Sequence, residues 1–147
     1  MTQTLFPLAV IILAGSLAAL QAPVNAALGA SLGSGVAAAT ISFGVGFVVL
    51  LAIMLSSGQV DHLARVLSVN RWLLLGGLLG AFYVWAILWT IPLLGVVTAI
   101  SAMILGQLIV ALALDAFGPF GLPIHEVSVP RVLGVVLVAS GLILSKV

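Results

Sequence analysis

With 147 residues, 64% of them hydrophobic and only 5% charged, and a formal net charge of +1, this chain cannot clothe a water-facing surface, for which soluble domains use about 25% charged residues. Its lack of cysteine excludes a disulfide framework and a thiolate nucleophile, and its few basic residues offer no face that could track phosphates. Nucleic acid is therefore no partner, and the lipid bilayer is the principal solvent, in keeping with a mean hydropathy of +1.47.

A hydrocarbon core about 30 Å thick is crossed by roughly 20 apolar residues in a helix, which satisfies its backbone within the segment. The apolar runs are continuous and do not alternate as barrel strands would, so an all-α integral membrane protein is expected. The first span covers residues 5–24. It has the apolar stretch of a secretory signal, but Met1-Thr2-Gln3-Thr4 supplies no basic n-region, so it is read as a retained membrane helix. The small-residue stretch that follows it sets off a second span over residues 35–57. Residues 58–71, GQVDHLARVLSVNR, hold two of the four basic side chains and suit a short surface segment.

No charge occurs between Arg71 and Asp115, and that stretch is too long for one crossing. Pro92 lacks an N–H and Gly95 tolerates a reversal, which divides it into spans over residues 72–91 and 95–114. Residues 116–128 read as a loop. The last span, residues 129–146, is short and carries Arg131 near its start, where the side chain can snorkel to the headgroups. The expectation is a single domain of five spans. An odd count puts Arg65, Arg71 and Arg131 on one side and Lys146 on the other, a weak bias toward a cytoplasmic N-terminus. A chain so sparsely marked can insert both ways, and two such copies would meet as an antiparallel pair.

The few polar groups at membrane depth are the candidate site. Gln21 and Asn25 stand four apart around Pro23, so a continuous helix would stack them on one face. They either line a substrate path at a broken helix or end the helix among the headgroups. Gln107, midway along the fourth span, either faces a cavity or holds helices together. Trp85 and Trp89, beside Phe82 and Tyr83, could wall an apolar or cationic site or anchor the interface, and Trp72 reads as an anchor. Asp115 is the one carboxylate adjoining a span. It is either a proton-coupling group or a structural cap paired with Arg131 or Arg71.

The segments LQAPVNAALGASLGS, RWLLLGGLLGAFYVWA and GVVTAISAMILGQLIVALALDAFGPFG resemble the small five-helix YdcZ-like proteins, a branch of the drug/metabolite transporter superfamily. The most specific part is the fourth span, with Gly106-Gln107-Leu108 followed by Leu114-Asp115-Ala116-Phe117-Gly118. The resemblance implies a bacterial inner-membrane exporter of a small solute, in which five helices form half of an inverted-repeat bundle. It supplies no established set of substrate residues. Duplicating an odd number of spans inverts the second copy, as inverted-repeat transporters require.

Enzyme chemistry is disfavoured by inventory. Neither histidine belongs to an HExxH pattern, His125-Glu126 cannot complete a zinc site, and no phosphate-binding Gly-rich loop is present. No cofactor or metal is expected. The expected function is secondary transport of a small neutral or amphipathic solute by alternating access, with Gln21, Asn25, Trp85 and Gln107 as substrate contacts and Asp115 as the coupling candidate. The working unit would be an antiparallel homodimer or a pair with an inverted paralogue. A passive channel and a non-transporting assembly subunit are the alternatives.

Overall fold

The computed structural model describes residues 2–145, and side chains from residue 5 onward; Lys146, in the last predicted span, lies outside the described residues. Six helices follow one another: α1 (Thr2–Leu32), α2 (Gly35–Ser56), the short α3 (Asp61–Ala64), α4 (Leu75–Leu94), α5 (Val96–Phe117) and α6 (Val129–Leu144). Single 3-10 turns at Arg65–Leu67, Arg71–Leu74 and Pro119–Gly121 fill the connections. Among the described residues there is no strand. Four segments, Leu5–Leu32, Gly35–Ser56, Arg71–Leu94 and Val96–Phe117, are long and apolar enough to cross a membrane. α6 is shorter, and its 16 residues rise about 24 Å. The four long helices show no sustained polar face, as suits lipid-immersed helices, and α6 carries one charged residue, Arg131, near its start.

The chain forms two compact units, Met1–Pro92 and Leu93–Val147. In the first, α1 and α2 make an antiparallel hairpin around a tight turn. The Ser34 N–H donates to the Gly29 carbonyl at 3.0 Å, and the Ser34 hydroxyl then accepts from the Ala37 N–H at 3.2 Å, capping α2. Gly29 lets the two backbones approach: a Cβ there would lie 3.3 Å from Gly35 Cα and 3.6 Å from the Ala38 side chain. On α2 the small residues Ala38 and Ala39 receive Val84 and Leu88 of α4, with Ala26 and Leu28 of α1 beside them. Lipid tails are as apolar as leucine, so dispersion between fitted surfaces and a few interhelical hydrogen bonds hold these helices, not the removal of apolar area from water.

α1 corrects the sequence reading. It runs unbroken through Pro23 to Leu32, well beyond the expected end near residue 24, so residues 21–25 are helical and not a break. Proline in a membrane helix is tolerated when neighbouring helices hold the flanking turns. Here α2 does so, through Asn25 on one side and the Gly29 contact on the other. The 28 residues from Leu5 to Leu32 rise about 42 Å, more than the hydrocarbon thickness, which calls for tilt or for an end in the headgroups. Pro92 likewise sits inside α4, whose helix continues to Leu94. Only Gly95, at φ 78°, separates it from α5.

In the second unit α5 and α6 pack together and are tied at both ends. At one end the Thr98 hydroxyl donates to the Ser145 carbonyl at 3.2 Å, and the Ser145 hydroxyl lies 3.2 Å from the Thr98 hydroxyl. At the other, Arg131 Nη1 donates to Asp115 Oδ2 at 2.8 Å, and the His125 N–H donates to the Asp115 carbonyl at 2.9 Å. α5 stops at Gly118, whose N–H donates to the Leu114 carbonyl at 2.8 Å in a left-handed conformation (φ 56°). A Cβ on Gly118 would stand 2.6 Å from Ile124 Cγ1 and 2.8 Å from the Leu122 carbonyl oxygen. Gly118→Ala is therefore expected to destabilise the detergent-solubilised protein by more than the roughly 1–2 kcal/mol of the left-handed backbone alone. Gly46→Ala, where a Cβ meets open space on α2, should leave thermal unfolding unchanged or raise its midpoint.

Candidate functional site

Around α1 and α2 the sequence brings together three polar side chains. Asn25, 7% exposed, donates through Nδ2 to the Ser42 hydroxyl at 3.1 Å. Gln21, one turn earlier, reaches the same hydroxyl only at 3.5 Å and stays exposed. A continuous helix is what stacks the two amides, so the geometry that denies a break also builds the cluster. Asn25 is committed to holding α1 against α2. Gln21 is weakly held and keeps donor and acceptor capacity for another group.

Trp85 lies elsewhere. α2 and α4 diverge to leave a groove of about 590 Å³, walled by Val36, Ala39, Thr40 and Phe43 on one side and by Leu78, Phe82 and Trp85 on the other. The only hydroxyl here, on Thr40, donates back to the Val36 carbonyl at 2.9 Å and leaves the wall nearly apolar. Trp85 is steadied from both neighbouring turns. Its ring stacks on Trp89 at 5.9 Å with planes 5° apart, and meets Phe82 at 5.8 Å in a tilted contact. No charged residue lines this groove. It offers an apolar or amphipathic molecule a shaped aromatic wall, without a fixed counter-charge for an ion. Neither Gln21 nor Asn25 lines it.

In the second unit a smaller cavity of about 330 Å³ lies between α5 and α6, lined by Leu108, Ala111, Leu112, Gly134 and Val135, with Asp115 and Arg131 at its edge. The ion pair leaves the Asp115 side chain 39% exposed and that of Arg131 41% exposed. Gln107 is exposed on α5 and does not line this cavity. Among the described residues no three His, Cys, Asp or Glu side chains cluster to hold a metal.

Sequence reasoning passed over Ser42 and Thr40, the only hydroxyls within α2 before its last residue, Ser56. Their rarity was a usable signal, because a hydroxyl in so apolar a helix either bonds its own backbone, as Thr40 does, or serves a neighbour, as Ser42 does. It also passed over Thr98 and Ser145, whose pairing across 47 residues has no local signature.

Residues 6–144 match the family described as "Putative inner membrane exporter, YdcZ". The chain is also similar to the inner membrane protein YdcZ of Escherichia coli (strain K12), with 34% identity over 98 residues. That stretch makes up 66% of this chain and 65% of the relative, so the match spans just under two thirds of the relative's length. No solved structure matches the chain. Matched over nearly its whole length, and built of long apolar helices, the chain belongs to the YdcZ family of inner-membrane proteins.

Proposed function

We propose that the protein is a secondary exporter of a small neutral or amphipathic solute, working as two oppositely inserted copies that alternate access. The observation that carries this reading is the groove between α2 and α4: about 590 Å³, apolar, aromatic-walled and without charge. That volume suits a small molecule, and binding sites of this kind are mostly apolar with few polar groups. Family membership supports export, and the neutral lining supports the solute class. Trp85 is the principal wall; Gln21, outside the groove, is a separate candidate contact with an amide only weakly held, and Asn25 fixes the helix that carries it. Gln107 is the corresponding candidate on α5.

On this reading α6 is the fifth crossing. Its apolar run rises about 24 Å, and Arg131 at its start reaches the headgroup level, which makes up the difference. Five crossings put the chain ends on opposite sides of the membrane, so a second copy inserted the other way completes an inverted repeat. Asp115 serves as a clamp and not as the coupling group, a role supported by its 2.8 Å bond to Arg131 and by the His125 bond to its carbonyl.

Flux of a neutral amphipathic fluorescent dye through protein reconstituted in liposomes tests this reading. Saturable transport driven by an imposed proton gradient is expected, whereas flux linear in dye and indifferent to the gradient would establish a channel. Trp85→Ala should slow transport about tenfold through loss of aromatic contact, and Trp85→Phe should retain most of it. Asp115→Asn should keep the gradient dependence and lower stability by less than about 1 kcal/mol, since the pair is two-fifths exposed. Loss of gradient dependence in an assembled Asp115→Asn protein would make Asp115 the coupling group.

A further inference from the structure

The groove between α2 and α4 is richer in rings than the chain that forms it. Three of its nine lining residues, Phe43, Phe82 and Trp85, are aromatic, against 7% of the whole sequence. They come from both walls, and all belong to the first compact unit. Phe43 reaches from α2 toward α4, its Cζ 3.9 Å from where a Cβ on Gly80 would lie. Phe82 and Trp85 stand on α4, where the two rings touch. Ala39, Gly77 and Ala81 complete the lining with little side chain of their own, so the space beside the rings is left to a ligand. Ring-on-ring contact is worth more than the area it buries. An aliphatic solute of the same size would gain the burial and forgo that contact.

Thr40 sets the polar half of the recognition. It carries the one side-chain oxygen in the lining. Its hydroxyl proton is committed, because it donates to the Val36 carbonyl at 2.9 Å. A hydroxyl has one proton and two lone pairs, so what Thr40 still offers a ligand is acceptance alone. A ligand hydroxyl or N–H can bond to it, and an ether or carbonyl oxygen cannot. No charged residue lines the groove, so an ion entering it would give up its hydration without a counter-charge.

We infer that the ligand of this groove is an uncharged, flat aromatic molecule bearing a hydrogen-bond donor, of the phenol type, with its ring against Phe43, Phe82 and Trp85 and its donor on Thr40 Oγ1. This rests on the exporter reading proposed above and narrows its solute from neutral or amphipathic to aromatic and donor-bearing.

Competition for tritiated naphthol bound to the detergent-solubilised protein tests the assignment. Decahydronaphthol, the saturated analogue, keeps the hydroxyl and loses the rings, and it should compete about two- to tenfold less well than naphthol. Methoxynaphthalene keeps the rings and loses the donor, and it too should compete about two- to tenfold less well. Thr40→Val, of nearly the same shape, should abolish the preference for naphthol over its methyl ether, and Thr40→Ser should keep it. The ether's own affinity should be unchanged in Thr40→Val, which also shows that variant to be folded. Trp85→Ala should weaken naphthol more than decahydronaphthol. Equal competition by the aromatic and saturated analogues, or no saturable naphthol binding, overturns the ligand class. A preference for naphthol over the ether that survives Thr40→Val overturns the Thr40 contact. Dye flux in liposomes separates these failures from failure of the exporter reading. Saturable, gradient-driven flux alongside either result leaves an exporter of another solute, and absence of such flux removes the exporter reading as well.

Discussion

A hydrogen-bonding group inside a hydrocarbon slab has to find its partner in protein, and that requirement organises this chain from its helices outward. Backbone groups are satisfied by making every long apolar run a helix. Hydroxyls are satisfied by bonding back to their own helix, as at Ser16, Thr40, Thr90 and Ser140. A few side chains reach past it to a neighbouring helix, as the Asn25 amide does at Ser42 and the Thr98 hydroxyl does at Ser145. Asn25 fixes α1 to α2 at Ser42, within a hairpin whose closest approach is at Gly29. Gln107 stands exposed near the midpoint of α5.

The same constraint explains why charge is so scarce and where it sits. Asp115 and Arg131 meet at the end of α5, where the chain leaves its apolar run, and their bond closes the loop to α6 together with the His125 N–H. At the other end Thr98 and Ser145 join the same two helices without any charge. In the first unit the groove between α2 and α4 is lined mainly by aliphatic and aromatic side chains. The lining of the groove holds no group that would demand a charged ligand.

Much of the fold is legible in the sequence because continuous apolar runs bounded by Gly, Pro and charge leave few alternatives to membrane helices. The misread end of α1 shows where that logic stops. Pro23 is a helix breaker by its own chemistry, yet the helix passes through it, since packing by α2 around Asn25 and Gly29 outweighs one lost backbone bond. The shortness of α6 was legible in its residue count, and so was the pairing of Asp115 with one of two arginines, because so few charges exist to pair. The groove was not. Trp85 announced an aromatic wall, but its opposite side, Val36, Thr40 and Phe43, comes from a helix some forty residues earlier and has no local mark in the sequence.

The proposed function stands or falls with two copies lying in opposite orientations. The direct measurement is the sidedness of a single cysteine at Gln59, in the connection after α2, labelled by a membrane-impermeant maleimide in intact cells and again after permeabilisation. About half of the copies should react from outside and the remainder only once the membrane is opened. Labelling of every copy, or of none, before permeabilisation would contradict it.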